Sequence, residues 1–248
     1  MSEKAHFNFS NKIVVGPLLA MILIWTVYWF ELATGTNFNS YGIMPRTISG
    51  LSGVLFSPFI HGSLEHLYNN TIPLGILLAA LFYFYREVAF KIILYGIILS
   101  GLLTWGIGRT SYHIGASGLI YVLASFIFFK GIFSNYFRLI ALSLIVVFIY
   151  GSLLWYIFPI KEGISWEGHL AGFLTGLFLS IVIKAKIPVP KKYAWEEEDY
   201  DEAKDPFLRQ FDADGNFREL PVEENPEQED IKVNYVYKPS AGKKNEKD

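Results

Sequence analysis

The chain has 248 residues, 52% hydrophobic and only 18% charged, a balance too apolar for an ordinary soluble domain. It holds no cysteine, which excludes disulfides, thiolate catalysis and cysteine-ligated metal. The net charge of -2 hides a division, 11 basic against 6 acidic side chains over 1–187 and 10 against 17 over 188–248, and no basic stripe offers a nucleic-acid surface.

Residues 1–12 are polar and read as a cytoplasmic N-terminal segment. The apolar run over about 13–32 exceeds a signal-peptide core and no small-residue cleavage site follows it, so it is expected to be a retained span. Further runs cover roughly 67–85, 88–107, 114–129, 137–158 and 168–183. Each is near the length that crosses ~30 Å of hydrocarbon. The expected fold is an all-α polytopic membrane protein, with six transmembrane helices over 13–187.

Between the first two runs, residues 34–65 include Pro45-Arg46, Ser57-Pro58 and His61-Gly62, with several apolar residues among them. Two placements stay open for this connection: partly within the membrane interface, or a compact loop on the outer surface. After residue 187, Pro188-Val189-Pro190 ends the last helix and an acidic tail begins. The tail, 188–248, is expected to be soluble and disordered, with candidate partner segments at Pro206-Phe207-Leu208 and Tyr235-Val236-Tyr237. Asp212-Ala213-Asp214-Gly215-Asn216 faintly suggests a calcium loop, but its glycine falls too early for an EF-hand.

An even number of spans places both termini on one side. That side would hold Lys4, Lys12, Arg86, Lys91, Lys130, Arg138, Lys184, Lys186, Lys191 and Lys192, against Arg46, Arg109 and Lys161 on the other. The positive-inside rule makes the first side cytoplasmic. The second, fourth and sixth runs then all begin on the outer side, where His66, Ser117 and His169 lie. Three polar residues distant in sequence thus reach one depth of one leaflet. Ionisable and polar groups there are costly and mostly functional.

Gly115-Ala116-Ser117-Gly118 runs into the fourth span. A serine flanked by glycine at a helix N-terminus has free N–H groups beside it and room for a substrate carbonyl. The motif alone is weak, since small residues in membrane helices mostly serve packing. His169 is the natural base. Gly168, Gly172 and Gly176 form a small-residue face beside it, on which a neighbouring helix can come close enough to bring Ser117 within hydrogen-bond reach. His66 and Asn70 are four apart, share a helical face and can both donate to an oxyanion together with the Ser117 N–H. The bland alternatives are that the Ser117 motif serves packing, that His169 is satisfied by a neighbouring backbone group or water, and that His66 and Asn70 bridge polar groups between helices.

Taken jointly, His61-x4-His66-x3-Asn70, Gly115-x-Ser117-Gly118 and Gly168-His169-x2-Gly172-x3-Gly176, in that order on six spans, resemble the rhomboid intramembrane serine proteases. The resemblance covers most of 13–187. It implies a Ser117–His169 dyad without an acidic third member, an oxyanion role for His66 and Asn70, and a packing role for Tyr121 beside His169. His61, Gly115, Gly172 and Gly176 would support the site. The implied activity is a serine endopeptidase that needs no cofactor or metal. Its substrates would be single-span membrane proteins, cut near the outer face of the bilayer after lateral entry past the fifth span. The implied location is the bacterial plasma membrane; the oligomeric state is open. Many bacterial members carry Trp-Arg in the first loop, where Pro45-Arg46 and Gly53 stand here, and the tail has no counterpart in the family core.

Three other functions compete with this one. An inactive rhomboid-like binder or chaperone usually lacks the serine or the histidine, and both are present. A metalloprotease using His61, Glu65, His66 and His169 meets no zinc-protease spacing. A transporter would show an internal repeat or a charged pathway, and neither is found.

Overall fold

The computed structural model describes residues 9–161, 163–186, 193–212 and 214–218. Residues 1–8 of the expected N-terminal segment with Lys4, the expected boundary at 187–188, Lys191 and Lys192, and the segment Tyr235-Val236-Tyr237 lie outside them. The chain divides into two units, Met1–Pro190 and Lys191–Asp248.

The first unit is all-helical among the described residues: α1 Lys12–Thr34, a single turn α2 Gly53–Phe56, α3 Leu64–Phe84, α4 Ala89–Ile107, α5 Ser117–Ile132, α6 Phe137–Tyr150 and α7 Trp166–Val182. The helices α1, α3 and α4 are long and apolar enough to cross a membrane. The other three long helices, α5, α6 and α7, are apolar but span 16, 14 and 17 residues.

Local chemistry explains the ends. Ser63 caps α3 by accepting from the His66 N–H, and Ser165 caps α7 by accepting from the Gly168 N–H. Gly35 closes α1 in the left-handed conformation at φ 66°. Lys130 in the last turn of α5 reaches across to α7 and donates to the carbonyls of Ser180 and Ile183 at 2.9 and 2.7 Å. Those carbonyls lie at a helix end, where a cation is favourable. The apolar run over 137–158 is not one helix. It turns at Gly151 into a 3-10 segment, Gly151–Ile157, so α6 is shorter than the run that encodes it.

Helix α5 is the hub. Val122, Leu123, Phe126 and Ile127 are fully buried, and α5 packs on α3, α4, α6 and α7. Its contact with α7 is a small-residue crossing. A Cβ on Gly172 would overlap the Gly118 carbonyl, and one on Gly176 the Val122 carbonyl. Outward faces are apolar instead of polar: Leu19, Trp29, Phe90, Phe148 and Ile181 are all exposed. Water would not support such a surface, and hydrocarbon does.

The first connection folds back over the helix ends. Arg46, at φ 57°, takes its N–H to the Trp105 carbonyl and its guanidinium to the carbonyls of Gly106 and Gly108. Trp105 returns a bond from its indole to Thr47. Ile43 and His113 exchange both backbone bonds at 2.9 Å, and Ser57 accepts from the Gly115 N–H. The loop with Pro45-Arg46 is therefore pinned to the segment that leads into Ser117.

In the second unit the described residues form three short 3-10 turns and one bridge, Phe211 to Phe217. Asp212 closes that hairpin by accepting from the N–H groups of Asp214 and Asn216, which is turn chemistry.

Candidate active site

Three helix N-termini meet at one end of the bundle. Ser117 is the first residue of α5, His66 the third of α3 and His169 the fourth of α7. The α5–α7 crossing at Gly172 brings the two backbones close enough for the Ser117 hydroxyl and His169 Nε2 to lie 3.0 Å apart.

The tautomer of His169 follows from its other nitrogen. Nδ1 lies 3.0 Å from the carbonyl oxygen of Tyr156, which can only accept. The ring proton is therefore on Nδ1, and Nε2 offers its lone pair to the Ser117 O–H. The Tyr121 ring stacks on the imidazole with centroids 4.3 Å apart and planes 12° apart, fixing its tilt. Only 7% of His169 is exposed, so little water competes for these contacts.

On the other side of Ser117, Gly115 takes φ 105°, a conformation open to glycine. A Cβ there would strike the His66 imidazole and stand 3.3 Å from Asn70 Nδ2. His66 and Asn70 thus converge on the backbone just before the serine. The Asn70 side chain is buried and its Nδ2 has no hydrogen-bond partner among the described residues. A buried amide donor without a protein partner is costly and available to an acceptor. His61 sits behind them: its Nε2 accepts from the Ala116 N–H at 3.4 Å and its ring meets His66 edge to face. Burial, reinforced by the neighbouring His66, pushes the His61 imidazole down to about 4, so it is neutral near pH 7.

A cavity of about 1200 Å³ has His66, Asn70, Ser117, Tyr121 and His169 in its wall. Asn69, which helical geometry turns away from Asn70, also lines it. A second recess of about 30 Å³ adjoins Ser117, lined by both polar and apolar side chains, Ser57, Ser100 and Thr104 among the polar ones. That is room for one or two water molecules.

Several further groups shape the site without a motif to mark them. The Tyr156 carbonyl is a main-chain group that any residue supplies, so no sequence signal marks it. His113, Ser165 and Glu167 surround the site from loops and a helix start. Their signal is a buried acid and a loop histidine near the two motifs, visible only once the loops are seen to meet.

Comparisons with known proteins agree with this architecture. A family model described as Rhomboid domain matches residues 49–186. An uncharacterized protein of Mycobacterium tuberculosis is 36% identical over 186 residues, covering 69% of this chain and 77% of that one. An uncharacterized protein of Mycobacterium leprae is 32% identical over 179 residues, covering 68% and 70%. The chain is an integral membrane protein and belongs to the rhomboid family.

Proposed function

We propose that the protein is an intramembrane serine endopeptidase that cleaves single-span membrane proteins near the outer face of the bilayer. The observation that carries this is the 3.0 Å contact between Ser117 Oγ and His169 Nε2, with Nδ1 anchored on a carbonyl. Ser117 attacks the scissile carbonyl while Nε2 takes its proton. His66, Asn70 Nδ2 and the Ser117 N–H surround the developing oxyanion, and losing one such donor typically costs ~2.7–4 kcal/mol. The imidazolium then protonates the leaving amine. A water molecule, for which the recess beside Ser117 has room, hydrolyses the acyl-enzyme by the same proton path in reverse.

All six long helices span the bilayer in this reading, with α5 and α7 starting below the outer surface. That depth is tolerable for backbone that lines a wet cavity. Both termini face the cytoplasm of a bacterial cell, by the lysine and arginine distribution.

The test is intact-mass labelling of the detergent-purified chain with a fluorophosphonate, beside Ser117→Ala and His169→Ala. One adduct on wild type and none on either variant is expected, with cleavage of a generic single-span substrate lost in parallel. Folded wild type that neither labels nor cleaves would overturn the reading in favour of a rhomboid-like binder.

A further inference from the structure

Outside the dyad, one cluster of polar side chains, with His113 and Glu167 buried in it, joins the two segments that carry it. Gly108–Ala116 is the loop leading into Ser117, and Ser165–Glu167 opens the helix that carries His169. Arg109 precedes Ser117 by eight residues and His113 by four; Ser165 precedes His169 by four and Glu167 by two.

Glu167 accepts from the Arg109 N–H at 3.1 Å, and its other oxygen lies 3.6 Å from the Arg109 guanidinium. The same guanidinium donates to the Ile164 carbonyl at 2.7 Å. Glu167 is 2% exposed at its side chain while Arg109 is 44% exposed, so the carboxylate is the desolvated partner. Burying a carboxylate is costly, and a helix N-terminus gains from an acid without burying it.

The second link is directional. His113 Nε2 faces the Arg109 carbonyl at 3.1 Å, so Nε2 must carry the proton. Nδ1 is then an acceptor, and the Ser165 hydroxyl donates to it. The Ser165 oxygen in turn accepts from the Gly168 N–H, one residue before His169. Burial holds His113 below its ordinary value and favours this neutral form. Each polar hydrogen in the chain has one acceptor, so the network has one arrangement.

We propose that Arg109, His113, Ser165 and Glu167 form a latch between the loop that delivers Ser117 and the helix turn that delivers His169, and that they are positioning residues for the hydrolysis; this rests on the protease reading. The latch works because the hydroxyl–imidazole contact and the Arg109–Glu167 pair join the two segments at the level of the dyad, above the glycine crossing. Misplacement by about 1 Å at a reacting pair can cost on the order of 100-fold in rate.

The test uses the full chain in lipid nanodiscs with Glu167→Ala, Glu167→Gln, His113→Ala and His113→Gln. Fluorophosphonate inactivation is followed to saturation, so that the limiting rate and the half-saturating concentration are separated. At least a 10-fold lower limiting rate is expected for both alanine variants at unchanged half-saturation. Glu167→Gln, which keeps an acceptor for the Arg109 N–H, should fall between. Lys130→Met serves as a comparator that lowers the melting temperature away from the site and should leave the rate unchanged. A readout free of catalysis adds Ser117→Cys and measures Cd²⁺ protection of the introduced thiol from maleimide, which requires His169 beside it. Half-protection should need at least threefold more Cd²⁺ when Glu167→Ala or His113→Ala is present.

Rates and protection within twofold of the parent would overturn the latch while leaving the protease reading in place. An inert wild type would instead overturn the protease reading, and thiol protection would still decide whether the latch holds the pair. If either alanine variant fails to fold, the glutamine variant at that position carries the comparison.

Discussion

Tyr121 and His169 lie face to face, 4.3 Å between ring centroids and 12° between planes, although they come from different helices. The stack limits the imidazole to rotation in its own plane, and the Tyr156 carbonyl stops that rotation. Tyr121→Phe keeps the stacked face and should retain turnover within a few-fold. Tyr121→Ala should lower turnover of a single-span substrate by about 10- to 100-fold, and stability by about 1 kcal/mol from the lost ring contact alone. Equal activity of the two variants would show that the ring does not restrain the imidazole.

Two glycines near the serine should behave oppositely. A Cβ on Gly118 would meet nothing closer than 3.6 Å, so Gly118→Ala should fold and melt close to wild type. A Cβ on Gly172 would overlap the Gly118 carbonyl, so Gly172→Ala must push α5 and α7 apart. Overpacking of this kind typically costs about 1–3 kcal/mol. Thermal unfolding in detergent, with fluorophosphonate labelling of Ser117, checks both.

Acid should weaken the fold through His61. Its pKa is lowered from 6.5 to about 4, so the folded protein binds fewer protons than the unfolded one below pH 6.5. The contribution of the neutral ring is therefore intact above pH 6.5 and is lost as pH falls toward 4, by up to about 3 kcal/mol. His61→Gln, which keeps an acceptor for the Ala116 N–H, should show a smaller drop in melting temperature between pH 7.5 and 4.5 than wild type does.

Lys130 holds the carbonyl end of α7 from α5. Replacing it by Met keeps the length and removes the donors. The melting temperature should fall in line with a loss of about 1–3 kcal/mol. Cleavage at low temperature should persist, because Ser117 and His169 sit at the opposite ends of the two helices.

Much of the architecture could be read from runs of apolar residues and the places where polar ones interrupt them. His66, Ser117 and His169 each stand at the start of such a run, and the alternating direction expected of successive spans predicts that those starts meet at one end of the bundle. The glycines at 172 and 176 announced a close helix crossing because nothing else explains their spacing on an apolar face. Other features had no sequence signature. The run over 137–158 stays apolar past Gly151, so hydrophobicity could not reveal where α6 tightens into 3-10 geometry. The pairing of His113 with Ser165 depends on two loops meeting, which no periodicity reports. Arg46 departs from a common loop pattern, yet its guanidinium clasps the end of α4 from its own position.

The carbonyl of Tyr156 fixes the ring proton of His169, and it belongs to the main chain. No side-chain substitution can delete it. Alanine scanning through residues 151–157 would register changes of shape and never the loss of this acceptor. The acceptor itself is indifferent to the side chain that position 156 carries, because every residue supplies the same carbonyl. An orienting group of this kind leaves no trace in aligned sequences and can be recognised only in three dimensions.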